Sequence, residues 1–298
     1  MKLKDYYRDY YDGYISQLAP STQEGYRSSI GLHVLPKWGE WELHEIRVRH
    51  INAWLAGDFA SPGQADKAYK CLRQIIRSAM GDEVYPEDVV DPTTRGVRKP
   101  RMPHRGEAPH LTARQTKELL LAVVGYEYEP SVICGVWLGL RRCEQCGLKW
   151  GDIDLRTGVV HVRRGVQRVA GEVVVTEVKT HSSARPVMLP RTAVERMREI
   201  KRERRARADD WIMGDRVDPE RYSRTLKALC RRKGVAHVAP KHLRHTFDSL
   251  HHAAKTQDSE ISKMLGHASL QTSYRYMELD EDVLRSLQRS LERKVLRA

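Results

Sequence analysis

Between Gln64 and Met80 the apolar residues Ala68, Leu72, Ile75, Ile76 and Ala79 return every three or four positions. That is the period of one helix face, so a helix with a buried stripe is expected there. Upstream, Leu43, Ile46, Ile51 and Trp54 recur at near-helical spacing after Leu35-Pro36 and a Trp38-Gly39 turn. Pro20 followed by Ser21-Thr22-Gln23-Glu24 has the form of a capping box that opens a helix through Tyr26 and Ile30. Residues 1–96 therefore read as an all-helical bundle. Residues 97–110 carry three prolines and the cations Arg98, Lys99, Arg101 and Arg105 without periodicity, as an extended linker would.

From Leu111 the pattern is mixed. Thr112 is placed to cap a helix reaching about Val124, and one continuous helix is expected from Ser131 to Lys149. The stretches VVHVRR, VVVTEV and RPVML, broken by Arg156-Thr157-Gly158, Gly171 and His181-Ser182-Ser183, read as short strands. Helical patterns resume near 191–207, 218–233, 241–254, 258–265 and 280–296, the last with Leu284, Leu287, Leu291 and Leu296 toward one side. The expected fold is mainly α with a small antiparallel β-sheet. It comprises a helical domain at 1–96, a basic linker at 97–110 and an α+β domain at 111–298.

Charge narrows the partners. The chain has 52 Lys and Arg against 39 Asp and Glu, a formal net charge of +13. Residues 1–100 are balanced at 14 of each sign, so the whole excess lies in the second part. A polyanion such as nucleic acid fits that field better than a small acidic molecule, and the linker is placed to lie along a DNA backbone. No apolar run approaches the roughly 20 residues that span a bilayer, and the N-terminal MKLKDYYRDYYDGY lacks a signal-peptide core, so no membrane partner and a cytoplasmic location are expected. Cys71, Cys134, Cys143, Cys146 and Cys230 are odd in number and scattered, which fits a reducing compartment. The Cys143/Cys146 pair has no second pair to complete a zinc site, and no metal is expected.

Breaking a DNA phosphodiester without a metal requires fixed cations for the non-bridging oxygens, an oxygen nucleophile and an acid for the leaving oxygen. The second part supplies these types in order. Gly139-Leu140-Arg141-Arg142-Cys143-Glu144 sets an arginine after a glycine, with Glu144 expected on the same helix face. Lys179 stands at a strand end beside a polar turn; then follow Lys241-His242-Leu243-Arg244-His245, Leu265-Gly266-His267 and Tyr274-Arg275-Tyr276. Two residues apart on a helix, the tyrosines project about 200° from each other, so one of them faces a given phosphate.

These four blocks resemble the tyrosine recombinase family of phage integrases. GLRRCE is similar to its first arginine box, KTHSSARPVML to its β-hairpin lysine segment, and HLRHTF with LGHASLQTSYRY to its second box. The nine-residue step from His267 selects Tyr276 as nucleophile and leaves Tyr274 to packing. Residues 21–80, especially LPKWGEWELHEI, resemble more weakly the family's helical core-binding domain. The resemblance implies a helical core-DNA-binding bundle, a tyrosine recombinase catalytic domain and a C-terminal helix for subunit contacts. It also implies that Arg141 and Arg244 clamp the phosphate, Lys179 protonates the 5′ oxygen, His267 donates a hydrogen bond and Tyr276 forms a 3′-phosphotyrosyl bond. Glu144 and His245 would support the site, with His245 expected to be buried. No cofactor is implied, because the covalent bond conserves the phosphodiester energy.

One position departs from the pattern: Lys241 stands where the family usually has histidine, and His242, one residue on, points about 100° away. A protonated lysine cannot accept the tyrosine proton, so Lys241 is expected to act as a further cationic clamp. Partners implied are double-stranded attachment sites, a homotetramer on synapsed DNA and a directionality factor, in a bacterial host cell. Because the chain opens directly on the helical bundle, a compact integrase without a separate arm-binding domain is expected. A Xer-like or transposon resolvase would use the same residues. A relaxing topoisomerase would share the chemistry without joining two sites, and a DNA-binding regulator would form no covalent adduct.

Overall fold

The computed structural model describes residues 1–57, 59–86, 88–103, 108–177, 186–266 and 281–298. Its contacts divide the chain into two compact units, Met1–Gly106 and Glu107–Ala298.

Helices dominate the first unit. Leu3–Tyr6, the π-wound Tyr7–Tyr11 and Asp12–Ile15 form one run that buries Leu3, Tyr6, Tyr11 and Ile15. A second run, Pro20–Ser29, passes through π-wound Ile30–Val34 into Leu35–Trp38. One expectation is corrected here. Ser21 does not cap: Ala19 is the extended N-cap residue, no side chain caps the end, and Pro20 sits in the first turn, where its fixed φ favours the helix. Leu35-Pro36 does not end the run. Pro36 has no N–H to offer the Leu32 carbonyl, and the wider π turn just before it absorbs the missing bond.

The next apolar stretch is not one helix. A 3-10 turn at Leu43–Glu45 and the helix Val48–Gly57 are separated at Ile46, whose backbone is extended. Pro62–Gly81 is the expected long helix; the Ser61 hydroxyl accepts from the Gln64 N–H, and all five predicted stripe residues are buried. At the centre Trp38 is fully buried, its ring 5.3 Å from Trp41 and 5.5 Å from Trp54. The start of the predicted linker is fastened to this unit. Arg98 N–H donates to Asn52 Oδ1 at 2.7 Å, and Lys99 pairs with Asp66 at 3.2 Å.

The second unit opens with Ala113–Ala122, closed by a reciprocal box in which Thr112 and Gln115 cap each other's backbone N–H. Next comes Glu129–Leu138, buried on every side. The single helix expected at 131–149 is in fact two. Gly139 adopts φ +60°, Arg141 is extended, and a short helix restarts at Arg142–Gly147. Space as well as conformation requires glycine there, since a Cβ at Gly139 would lie 2.6 Å from Leu265 and 2.7 Å from Phe247.

Among the described residues the strands form two antiparallel pairs. Val159–His161 pairs with Pro186–Met188, in register Val160 to Val187, and Arg164–Val169 pairs with Glu172–Glu177 across a turn in which Ala170 and Gly171 both have positive φ. Helices Arg191–Glu203, Pro219–Lys233, Leu243–Ala253, Asp258–Leu265 and Glu281–Leu296 follow near their predicted places. In the last, Leu284, Leu291 and Val295 are buried in the unit's own core. Leu296 is 41% exposed instead of completing the stripe, because Val295, four residues after Leu291, holds the inward position. Among the described residues no helix is long and apolar enough to cross a membrane.

Candidate active site

The break at Gly139 shapes the first part of the site. It puts Arg141 in the extended N-cap position of Arg142–Gly147, with Glu144 one turn inside. Arg141 and Glu144 therefore meet across a helix terminus and not, as the spacing suggested, along one helix face. The carboxylate holds Arg141 at both ends: Oε2 accepts the Arg141 backbone N–H at 2.8 Å, and Oε1 accepts from Nη1 at 2.8 Å. Glu144 is 4% exposed at its side chain and Arg141 41% exposed, so a buried acid orients an arginine that reaches the surface.

Arg244 enters from the first turn of Leu243–Ala253. Its Nη1 donates to the Gly139 carbonyl at 3.1 Å and its Nη2 to the Leu265 carbonyl at 2.8 Å. Those oxygens belong to the ends of two other helices, Glu129–Leu138 and Asp258–Leu265, which both turn out through left-handed glycines, Gly139 and Gly266. One guanidinium thus gathers three segments: that of Arg141, its own, and the one leading into His267. Lys179, His267, Tyr274 and Tyr276 lie outside the described residues.

Lys241 is exposed in the 3-10 turn Pro240–His242, just before the Arg244 helix. The His242 imidazole is held below its ordinary value by partial burial and by the neighbouring Lys241, His245 and His237, a sign of positive crowding at this turn. His245 is exposed and packs its ring 5.7 Å from that of His242. The expectation of a buried His245 is thereby corrected: the inward positions of this helix go to Leu243, Thr246, Phe247, Leu250 and His251.

Several residues around the site had escaped the sequence reading. Gln145 is fully buried; its Nε2 donates to the carbonyls of Leu140 at 2.8 Å and Pro240 at 3.2 Å, and its Oε1 accepts from the Tyr222 hydroxyl at 3.0 Å. Thr246 accepts the Leu111 N–H at 3.1 Å and so ties the start of the unit to the Arg244 helix. A polar amide among Cys146, Gly147 and Leu148 was a usable signal for Gln145; Thr246 offered none. Burial pushes the Cys134 and Cys146 thiols up to about 12, so both sit in the core as neutral thiols. Among the described residues, no group of three or more His, Cys, Asp or Glu is arranged to hold a metal.

Comparison with known proteins identifies the family. Residues 134–282 match the phage integrase family, and residues 2–57 match the phage integrase N-terminal SAM-like domain. The integrase of Mycobacterium phage D29 is 25% identical over 287 residues, covering 91% of this chain and 74% of that protein. The Tn1549 transposon integrase, solved in complex with transposon right end DNA, superposes with a TM-score of 0.75 at 16% identity, covering 98% of this chain and 100% of that one. The lambda integrase, solved as a tetramer bound to a Holliday junction, gives a TM-score of 0.63 at 18% identity, over 97% of this chain and 78% of that one. With an integrase-family match to half of its length and the arginine-centred junction at its core, the chain belongs to the phage integrase family and is a site-specific tyrosine recombinase.

Proposed function

We propose that the protein integrates and excises a phage or mobile element by cutting and rejoining double-stranded attachment sites through a 3′-phosphotyrosyl intermediate. Arg141 and Arg244 bind the non-bridging oxygens of the scissile phosphate, for which a planar guanidinium fork is suited. Tyr276 loses its phenol proton to solvent and its Oη attacks phosphorus, the bond to O5′ breaks, and Lys179 gives that oxygen its proton. His267 donates a hydrogen bond to the phosphate, and Lys241 adds a second cation beside Arg244. A free tyrosine titrates near about 10, so this concentration of positive charge favours the attacking phenolate. In the second step a 5′ hydroxyl from the partner strand attacks the phosphotyrosine and releases Tyr276, with no net hydrolysis.

The observation that carries this reading is the Arg244 guanidinium, hydrogen-bonded to both Gly139 and Leu265. Each of those residues precedes another proposed site residue by two positions, Arg141 and His267. The helical unit at 1–96 would grip the core site from its own side, the second unit would carry the chemistry, and residues 97–110 would join them along the backbone. Four protomers would synapse two sites, as the DNA-bound lambda tetramer suggests by its own assembly. A directionality factor would bias excision against integration.

The test is covalent trapping on a duplex nicked beside the scissile phosphate of the attachment site, comparing wild type with Tyr276→Phe on a denaturing gel. A protein–DNA adduct from wild type alone is the expected result. An adduct that survives the substitution moves the nucleophile, with Tyr274 next in line. Tight binding without any adduct points to a DNA-binding regulator.

A further inference from the structure

We propose that Gln145 is a positioning residue for the strand-cleavage reaction, its side-chain amide fixing the Arg141 segment against the Lys241–Arg244 segment. This rests on the reading above, in which Arg141 and Arg244 bind the scissile phosphate.

Gln145 is fully buried, and every polar atom of its side chain is engaged. One amide nitrogen serves two carbonyls 100 residues apart in sequence, those of Leu140 and Pro240. Leu140 is the residue before Arg141; Pro240 is the residue before Lys241 and four before Arg244, one helical turn away. The Tyr222 hydroxyl, itself fully buried, donates to Oε1 and so determines which end of the amide faces the carbonyls. Turned over, the amide would set its oxygen against two carbonyl oxygens. There is little room for it to move: a Cβ built on Gly135 would lie 3.0 Å from both Cδ and Nε2 of Gln145.

A leucine or alanine would fill a helix interior position at lower cost, because a buried amide destabilises unless all its hydrogen bonds are made. What an apolar side chain cannot supply is register between two loops that lie far apart in sequence. Each loop leads directly into a cation of the site, and a shift of about 1 Å in a catalytic group lowers a rate by about 100-fold.

The experiment uses the full-length protein and a duplex carrying the attachment site, nicked beside the scissile phosphate. Adduct formation is followed in a single turnover at saturating protein, with the dissociation constant and thermal midpoint measured in parallel. For Gln145→Met, which keeps the volume and loses the donors, the cleavage rate falls about 10- to 100-fold while the dissociation constant stays within about twofold. Tyr222→Phe keeps the ring and loses only the hydroxyl; its rate falls in the same direction by less, and it serves as the test should Gln145→Met not fold. Wild-type cleavage by both variants, or rates that fall only in step with DNA affinity and melting, overturns the proposal. Arg244→Ala separates the two readings. If it is inactive while Gln145→Met and Tyr222→Phe both cleave normally, the positioning role fails alone; if Arg244→Ala itself cleaves normally, the clamp beneath both fails.

Discussion

The two units spend their polar groups differently. In the first, the core is built around aromatic side chains, Trp38 and Trp54 above all, and the charges pair at the surface: Arg27 with Asp12, Lys4 with Glu40, Arg77 with Asp91. In the second, polar groups lie inside. Glu144, Gln145, Asp152, Glu129 and His251 are all buried, and each of the first four holds a loop or turn by accepting or donating a backbone hydrogen bond. A unit that only has to present a surface can be held by apolar contact, which is strong and non-directional. A site that must place two arginines from separate segments needs directional bonds, and these must be buried to be strong. The contrast predicts that the first unit responds chiefly to loss of volume and the second to loss of hydrogen bonds and to protons.

The largest effect expected is on the aromatic core. Trp38→Ala should destabilise the first unit by about 3–5 kcal/mol and leave the melting of the second in place, as two-probe thermal or urea unfolding would show. A single transition shifted as a whole would break the comparison.

Next is acid. Burial holds the His251 imidazole down to about 4, whereas an unfolded histidine titrates near about 6.5. Between those values the unfolded chain binds a proton that the folded unit refuses. Stability is therefore fully present above about pH 6.5, falls on acidification and levels off below about pH 4, by about 3 kcal/mol in all. Urea midpoints across that window should show the slope in the wild type and a flatter one in His251→Gln; equal slopes would remove His251 as the cause. The smallest effect is at the surface. Arg27→Ala breaks an exposed pair at 2.9 Å and should shift the same unfolding midpoint least of the three, most of the shift being lost at high salt. A larger shift would mean that surface pairing, and not the aromatic centre, carries the first unit.

Much of this was legible in the chain, and the errors are instructive. The stripe from Ala68 to Ala79 and the Thr112 cap read correctly because helix period and capping are local. Ser21 misled because the capping pattern also fits the first turn of a helix that Pro20 starts on its own. The supposed helix at 131–149 failed at Gly139, where the apolar pattern runs on but the backbone turns left-handed and Leu265 and Phe247, more than 100 residues away, leave no room for a side chain. Exposure of His245 depended on which face of Leu243–Ala253 meets Glu129–Leu138, a choice that period alone leaves open within one turn.

The sequence by itself determined the element types, the division into a charge-balanced helical part and a basic α+β part, and the order of the residues proposed for phosphate chemistry. It did so because hydrophobic period, turn residues and motif spacing are properties of neighbours along the chain. Only the tertiary structure decided that Arg141 stands on a helix terminus with Glu144 at both its ends, that Arg244 bridges the carbonyls of Gly139 and Leu265, and that Gln145 spans Leu140 and Pro240. The bonds from Arg244 to Gly139 and from Gln145 to Pro240 join residues 105 and 95 apart, and a buried donor finds so distant an acceptor through the packing of whole helices, which no local pattern encodes.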